Sequence, residues 1–287
     1  MRFIFLCSVL LALAYSSQAF AFGRTGHQQI CQLAYQQAAA QTQLQITALL
    51  QLKPGETFAQ GCVWPDEARN EPAFSYSKPH HFMNVKRGAR TVEHKDCASV
   101  GCLLSAIRHH SAVLKTTEHS VQKLQSLLFL SHFVADLHQP LHVSYADDLG
   151  GNKTAVYFLK QPSNLHGVWD SGLLRALGYD ENEHLLQQKF AAVNKHNIRS
   201  WQQGDALFWA NESLKQTQKV YQQYRPGMLL DEQAVLRDGP VVETRMFQAA
   251  VRLAWLLDKL LAAPAANQPS VGNSRSSTGS EHNSTSA

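Results

Sequence analysis

Apolar side chains recur every three or four positions along most of the chain, the spacing of helices that bury one face. A single run, 154–159 (TAVYFL), is instead β-branched and aromatic and predicts a short strand. The pattern therefore predicts a mainly α, single-domain fold with a short β-hairpin or strand near 153–159. Helices are predicted over 26–40, 41–52, 102–119, 120–138, 165–177, 180–194, 198–223 and 240–262.

Two stretches between these helices lack the helical period. Residues 56–79 contain several prolines and are predicted to be irregular, apart from a short helix that opens at Pro65 and places Asp66 and Arg69 on one side. Residues 80–85 (HHFMNV) form an extended run by composition. Alternation along such a run would put His81 on one face and Phe82 with Asn84 on the other.

The two ends of the chain differ in composition from the middle. Residues 1–21 combine Arg2, an apolar stretch and the small-x-small sequence AFA, which predicts a signal peptide removed after Ala21, with cleavage after Ala19 as the alternative. Residues 263–287 are rich in small and polar types and are predicted to be disordered. The sequence therefore predicts an exported protein whose catalytic domain spans 22–262.

The formal net charge of +4, which falls to +3 when Arg2 is removed, is mildly basic. This charge permits a phosphate-bearing substrate without requiring one. No lysine- or arginine-rich run marks a long footprint on duplex DNA.

Cysteines remain in the mature chain at positions 31, 62, 97 and 102. An even count in an exported chain favours two disulfides. Cys97 and Cys102 are close enough in sequence to close a small loop, which leaves Cys31 to pair with Cys62. A zinc site made of all four cysteines is the alternative, although no two of them are separated by just two residues.

Histidine and aspartate are concentrated in 131–142 (SHFVADLHQPLH). His132 and Asp136 are four residues apart and share one helix face, and His166 and Asp170 repeat this spacing. One such pair could be a satisfied polar pair in the core, but two on separate helices favour metal binding. Eight candidate ligands, too many for one tetrahedral zinc, are His27, Asp66, His81, His132, Asp136, His142, His166 and Asp170.

The motifs FGRTGH, WPDEAR, HHFMN, HFVADLHQPLH, GGN and NLHGVWD occur in this order between Phe22 and about residue 260. In this combination the chain resembles the zinc-dependent type I nucleases, which include fungal single-strand-specific and plant bifunctional nucleases. That family is distantly related to the bacterial zinc phospholipases C. The resemblance implies the helical fold that these enzymes share.

The resemblance also implies three zinc ions. The remaining histidine of 131–142, His138, lies off the helix face of His132 and Asp136 and is expected to be structural, not a zinc ligand. The second ion depends on signal cleavage, because it would use the free α-amino nitrogen and the carbonyl oxygen of Phe22, where the family usually has Trp. The implied ligands are Asp66, His81, His132 and Asp136 for the first zinc, His27, Phe22 and the bridging Asp136 for the second, and His142, His166 and Asp170 for the third.

The implied activity is hydrolysis of single-stranded DNA and RNA to 5′-phosphate products, and of 3′-nucleotides, by attack of zinc-bound hydroxide on phosphorus. Asp66 would orient the hydroxide, and Arg69 would bind the phosphate. An unpaired base would stack on Phe82, opposite Leu149. Its edge would meet Asn152 and Asn84, where the family usually has Asp.

Two alternatives remain open at this point. A zinc phospholipase C would use nearly the same ligands, although such lipases usually have Glu where this chain has Asp170. A catalytically silent zinc-binding protein would keep the ligands alone, and Arg69 and Phe82 argue against it. The mature enzyme is expected to be a monomer with no membrane association and no obligate protein partner.

Overall fold

The computed structural model describes residues 22–262. The predicted signal peptide at 1–21 and the predicted disordered tail at 263–287 lie outside the described residues. Helices dominate the described part, which confirms the mainly α prediction. The α-helices are α1 Gly23–Gln37, α2 Ala40–Leu50, α3 Phe58–Gly61, α4 Trp64–Ala68, α5 Leu103–Thr116, α6 Ser120–His138, α7 Leu165–Gly167, α8 Leu173–Ala176, α9 Leu185–Phe190, α10 Lys195–Trp201, α11 Ala206–Gln223 and α12 Glu232–Leu260.

Shorter elements connect the α-helices. The strands are β1 Met83–Val85, β2 Val143–Tyr145, β3 Ala155–Phe158, β4 Gln161–Asn164 and β5 Leu229–Leu230. Turns of 3-10 helix cover Pro72–His81, His94–Asp96, Pro140–His142 and Ala146–Asp148, and a π-helical turn, Val168–Gly172, joins α7 to α8.

Helix α6 is the centre of the molecule and has the bounds that the sequence predicts. Its apolar residues face several directions, and every residue from Ser126 to His138 is buried. Helices α1, α2, α5, α11 and α12 all pack against it. Because α6 is enclosed on most sides, the polar side chains of its last two turns are fixed in the interior.

Two small sheets flank the helices. Strands β1 and β2 pair in parallel with Met83 opposite Val143, so the chain after His81 lies beside the chain after His142. Strands β3 and β4 form the predicted hairpin, whose two-residue turn, Leu159 and Lys160, has positive φ angles of 49° and 68°. Strand β5, which the sequence pattern did not reveal, adds in parallel to β3.

Several predicted boundaries are wrong for identifiable local reasons. Residues 56–79 contain, besides the predicted helix at Pro65, helix α3, which a capping box of Thr57 and Gln60 begins, and most of the 3-10 turn Pro72–His81. The predicted helix over 198–223 is two helices, since the chain turns at Gly204 (φ 77°) and Asp205 caps α11 by accepting from Phe208 N.

Three further boundaries differ from the prediction, at α9, at α12 and at β1. The helix predicted over 180–194 shortens to α9, and α12 begins eight residues before Pro240, because Asp231 caps it. Residues 80 and 81, predicted to be extended, complete a 3-10 turn, and β1 begins only at Met83.

His110, on α5, is buried in the structure. It lies on the same face of α5 as Leu103, Ile107 and Leu114. Its ring stacks on Phe129 with a centroid separation of 5.0 Å. Burial, together with the charges of nearby histidines, lowers the pKa of His110 to about 3.

Acid should therefore destabilise the protein partly through His110. Between pH 6.5 and about 3 the unfolded chain binds a proton that the folded chain excludes at this site, so stability falls as pH falls through this window. We expect zinc-free His110→Gln to lose about 2 to 3 kcal/mol less than the parent between pH 6.5 and 4.5. Urea unfolding at both pH values measures this, and equal losses would refute it.

Both predicted disulfides are present, Cys31–Cys62 and Cys97–Cys102. The first joins α1 to the residue that follows α3, and the second closes a five-residue separation before α5. The four cysteines are therefore committed to disulfides, and the alternative of a four-cysteine zinc site is excluded.

The Cys31–Cys62 disulfide should stabilise the fold more than the Cys97–Cys102 disulfide. Because it closes the larger loop in the unfolded chain, replacing Cys31 and Cys62 by Ala should cost about 3 to 4 kcal/mol, against about 2 kcal/mol for Cys97 and Cys102. Guanidinium unfolding of the two double variants tests this order. A larger loss from the shorter loop would contradict the entropic explanation.

Candidate metal centre

The eight candidate metal ligands converge in the interior around the carboxyl-terminal end of α6. None of them exposes more than 7% of its surface. Since burial of ionisable groups without partners is costly, their convergence needs an explanation beyond packing. They are contributed by α1 (His27), α4 (Asp66), the 3-10 turn before β1 (His81), α6 (His132 and Asp136), the turn after α6 (His142), α7 (His166) and the π-helical turn (Asp170).

The first group contains His81, His132 and Asp136, whose potential ligand atoms lie within 4.8 Å of one another. Oδ2 of Asp136 is 3.1 Å from Nδ1 of His81 and 3.3 Å from Nε2 of His132. Asp66 also belongs here, because its Oδ1 is 3.6 Å from Nδ1 of His81. These are the four side chains that the resemblance assigns to the first zinc.

A second group, His27, Asp66 and His132, meets the same 4.8 Å limit. The other carboxylate oxygen of Asp136, Oδ1, is 3.3 Å from Nε2 of His27. The rings of His27 and His132 are stacked with centroids 3.9 Å apart. The two oxygens of Asp136 therefore address different histidines, which is the arrangement that a bridging carboxylate requires.

His142, His166 and Asp170 form the third group, again within 4.8 Å. Oδ2 of Asp170 lies 3.1 Å from Nε2 of His166, and Oδ1 lies 3.7 Å from Nε2 of His142. The π-helical turn carries Asp170, and such local widening of a helix is frequent at functional sites. Nδ1 of His142 is only 3.9 Å from Oδ1 of Asp136, so this group adjoins the others.

Backbone carbonyls fix the orientation of three of the rings. Nδ1 of His132 donates to Cys62 O (2.8 Å), Nδ1 of His142 to His81 O (2.5 Å), and Nδ1 of His166 to Gly150 O (2.7 Å). Donation through Nδ1 leaves the Nε2 lone pair of each ring for another partner.

Gly150 itself is required by close packing. It has a positive φ of 63°, and a Cβ there would lie 2.5 Å from Leu141 O. The glycine pair of the GGN motif therefore brings the carbonyl of Gly150 to the His166 ring.

Many polar atoms of the cluster have no hydrogen-bond partner within residues 22–262, although they approach one another closely. Buried carboxylate oxygens and imidazole nitrogens that lie close together without hydrogen bonds suit a cation, and imidazole with carboxylate is the usual donor set for zinc. The residues present therefore fit divalent metal. The atoms are His27 Nδ1 and Nε2, Asp66 Oδ1 and Oδ2, His81 Nε2, Asp136 Oδ1, His142 Nε2 and Asp170 Oδ2.

Protonation in the cluster is also compatible with a cation. Burial lowers the pKa of His27, and lowers that of His81 to about 4, so both rings are neutral at neutral pH. Although burial opposes its charged form, the neighbouring His166 and His142 hold the pKa of Asp170 at about 2. The centre thus holds neutral His27 and His81 beside the ionised Asp170. Although burial opposes it, the Asp136 and Asp170 carboxylates raise the pKa of His142 to about 9, and Asp136 and Asp66 raise that of His132, so a metal ion there would displace protons.

Arg69 stands at the edge of the cluster with 20% of its side chain exposed. Its guanidinium nitrogen is 3.3 Å from Oδ1 of Asp66. The short helix α4 places the two residues on one side, as the sequence predicts. The positive charge of Arg69 therefore lies beside the Asp66 carboxylate and is partly exposed to solvent.

The four residues predicted to bind a base are at least partly exposed and lie close in sequence to residues of the cluster or to residues that contact it. Phe82, 41% exposed, directly follows His81, and Asn84 is half-buried on β1. Leu149 is exposed and precedes Gly150, and Asn152 donates through Nδ2 to Leu149 O at 2.8 Å. Phe82 is thus adjacent in sequence to the first group, and Leu149 to the residue that orients the third.

Phe22 is fully buried at the amino end of α1, one turn before His27. Its carbonyl oxygen accepts from Gly26 N at 3.0 Å. A carbonyl oxygen has a second lone pair, so this bond leaves capacity for another partner.

Three residues that the sequence analysis did not single out, Gln139, Arg245 and Arg252, contact the end of α6 or the cluster. His138 is outside all three groups, as predicted, and its Nε2 is 2.9 Å from the Arg252 guanidinium. Arg245 donates to His138 O at the end of α6. The buried Gln139 contacts Asp170, and its position between Asp136 and His142 in the sequence was the available signal.

A model of the S1/P1 nuclease family matches residues 22–262. The chain belongs to the S1/P1 nuclease family. It is 29% identical to Endonuclease 3 of Arabidopsis thaliana over 281 residues, which cover 91% of this chain and 96% of that protein. It is 28% identical to Nuclease S1 of Aspergillus oryzae over 165 residues, which cover 56% of this chain and 57% of that protein.

The chain is 30% identical to Endonuclease 5 of Arabidopsis thaliana over 290 residues, which cover 91% of this chain and 97% of that protein. Membership of the S1/P1 nuclease family makes the chain a nuclease, a hydrolase that acts on nucleic acid. Within residues 22–262 no helix is long and apolar enough to cross a membrane.

Proposed function

We propose that this S1/P1 nuclease is an exported enzyme with three zinc ions. It hydrolyses single-stranded DNA and RNA to 5′-phosphate products and removes the phosphate of 3′-nucleotides. The observation that carries the proposal is the placement of Asp136, whose two carboxylate oxygens face separate histidines while a third group adjoins them. The enzyme acts as a monomer without an obligate protein partner.

The proposed ligands of the first and third zinc ions follow the first and third groups, and the second zinc takes His27 from the second group. Asp66, His81, His132 and Asp136 would hold the first zinc, and His142, His166 and Asp170 the third. His27, Asp136 and the backbone of Phe22 would hold the second. When bound, zinc supplies Lewis acidity, which lowers the pKa of water and offsets negative charge on phosphate.

The second site makes maturation part of the mechanism. The proposed catalytic domain is 22–262, released by cleavage after Ala21. Support comes from the buried position of Phe22 at the start of the helix that carries His27. A free amine at residue 22 has a lone pair to donate, whereas the amide nitrogen of an uncut chain does not.

Two side chains of this protein would act on the phosphate directly. The Arg69 guanidinium can form charge-assisted hydrogen bonds to phosphoryl oxygens, and its exposed edge leaves room for a substrate. The Asp66 oxygens, which lack hydrogen bonds to the described residues, can accept one from the attacking water.

Selection of single strands would rest on the exposed ring of Phe82. An unpaired base can place its face on this ring, whereas a base inside a duplex has both faces covered by its neighbours. Leu149 would form the opposite wall, and Asn84 and Asn152 would contact the base edge.

Removal of the Phe82 ring should therefore weaken binding of single strands. Stacking contributes about 1 to 3 kcal/mol per base, so Phe82→Ala should raise KM for an oligonucleotide by about 5- to 150-fold. Initial rates on a single-stranded oligonucleotide measure this. Phe208→Ala, which removes another exposed aromatic ring, on α11, is the control and should leave KM unchanged. An unchanged KM in Phe82→Ala would refute the stacking role.

One assay tests the proposed function as a whole. Mature protein is incubated with single-stranded DNA, a 3′-mononucleotide or phosphatidylcholine, each with and without chelator. We expect chelator-sensitive hydrolysis of the first two substrates. Hydrolysis of the lipid alone would identify a phospholipase C, and no hydrolysis by zinc-loaded protein would indicate a silent zinc-binding protein; either result would overturn the proposal.

A further inference from the structure

Gln139 lies between the proposed metal sites and is fully buried at the carboxyl-terminal end of α6. Its backbone N–H donates to Asp136 O at 3.0 Å. Its backbone carbonyl accepts from His142 N at 3.1 Å. The main chain of one residue therefore links the proposed bridging carboxylate to a ligand of the third site.

The side chain of Gln139 makes two further hydrogen bonds, and their chemistry fixes the orientation of the amide. Oε1 accepts from Leu141 N at 2.5 Å, and a backbone N–H can only donate. Nε2 must therefore face Asp170, and it donates to Oδ1 of that carboxylate. In the opposite orientation, Nε2 would face the Leu141 N–H, which places two donors in contact. Oε1 would then face the Asp170 carboxylate, which places two acceptors in contact.

This bond distinguishes the two oxygens of Asp170. Oδ1 is held by Gln139, whereas Oδ2 has no hydrogen bond from the described residues and lies 3.1 Å from Nε2 of His166. We propose that Gln139 is a positioning residue that orients Asp170 and thereby sets the zinc affinity of the third site separately from the other two. The inference rests on the proposed function, because it presupposes a third zinc.

The effect on zinc affinity should be confined to the third site because the side chain of Gln139 makes only some of its hydrogen bonds. The links to Asp136 and His142 are made by the backbone, so they persist when the side chain changes. Only the bonds to Asp170 and Leu141 are lost. Loss of such a supporting bond to a metal ligand typically costs 10- to 100-fold in metal affinity, and here the cost should fall on the third zinc.

The test uses Gln139→Leu and Gln139→Met, of which Met keeps the length of the side chain. Gln29→Leu is the matched control, because Gln29 is also buried, donates to Tyr179 O at 2.9 Å and accepts from Leu186 N at 2.9 Å. For the mature chain of each variant, zinc retention is titrated against a competing chelator, and thermal unfolding is recorded without zinc.

We expect the third zinc of both Gln139 variants to leave at a chelator concentration at least about 10-fold lower than in the parent, while the other two are unchanged. Gln29→Leu should lower the melting temperature without changing the zinc titration. The proposal is overturned if either Gln139 variant holds all three ions as the parent does, or loosens all three equally. A parent that binds fewer than three ions would instead refute the proposed function.

Discussion

Asp136→Asn is expected to abolish hydrolysis, with activity lower by about three orders of magnitude or more. The reason is that one carboxylate serves two proposed sites, since Oδ1 faces His27 and Oδ2 faces His81 and His132. An amide has the same shape but no charge, and its nitrogen cannot ligate a metal. Two zinc ions should therefore be lost or weakened together.

Metal analysis and initial rates on single-stranded DNA measure this effect. Asp258→Asn is a suitable control, because this aspartate lies far along α12 and accepts only from Ala39 N among the described residues, which an asparagine oxygen can also do. The control should keep full activity and zinc content. If Asp136→Asn retained both near-parental rates and its zinc, a bridging role for Asp136 would be wrong.

The second large effect concerns the amino terminus of the mature chain, at Phe22. One alanine added before Phe22 should reduce turnover sharply and remove the second zinc, because it replaces a free amine by an amide that has no lone pair to donate. Phe22→Trp, which alters the side chain and keeps the backbone, should retain activity and zinc.

Mass spectrometry of the mature amino terminus must accompany this comparison, so that the added residue is known to be present. Unchanged turnover and zinc content in the extended protein would exclude the backbone of residue 22 as a ligand. Loss of activity in Phe22→Trp would instead show that the ring at this position matters.

The features of the fold that local sequence controls could be predicted. Helix α6 has the predicted bounds, because its apolar run is long and Pro140 ends it. The disulfide partners followed from the count and spacing of cysteines. Helical spacing alone was enough to place His132 with Asp136, and His166 with Asp170, on one helical surface each.

Features that depend on contacts between distant segments could not be predicted. The burial of His110 depends on the approach of α5 to Phe129 of α6, and strand β5 exists only because its two residues pair with β3. Likewise, the contact of Gln139 with Asp170 joins residues on separate elements. No periodicity within either segment carries that information.

The chemistry of the site was more predictable than its geometry. Residue types and order gave the eight candidate ligands, but the sequence could not show that His132 lies within reach of both the first and the second group. The overlap is visible in the stacking of the His27 and His132 rings, whose centroids are 3.9 Å apart.

Anomalous diffraction at the zinc absorption edge, from crystals of the mature protein, tests the central claim most directly. Three peaks are predicted, with the third separate from the other two. Fewer than three peaks, or peaks away from these side chains, would contradict the account. The predicted positions are among Asp66, His81, His132 and Asp136; between His27, Asp136 and the amino terminus at Phe22; and among His142, His166 and Asp170.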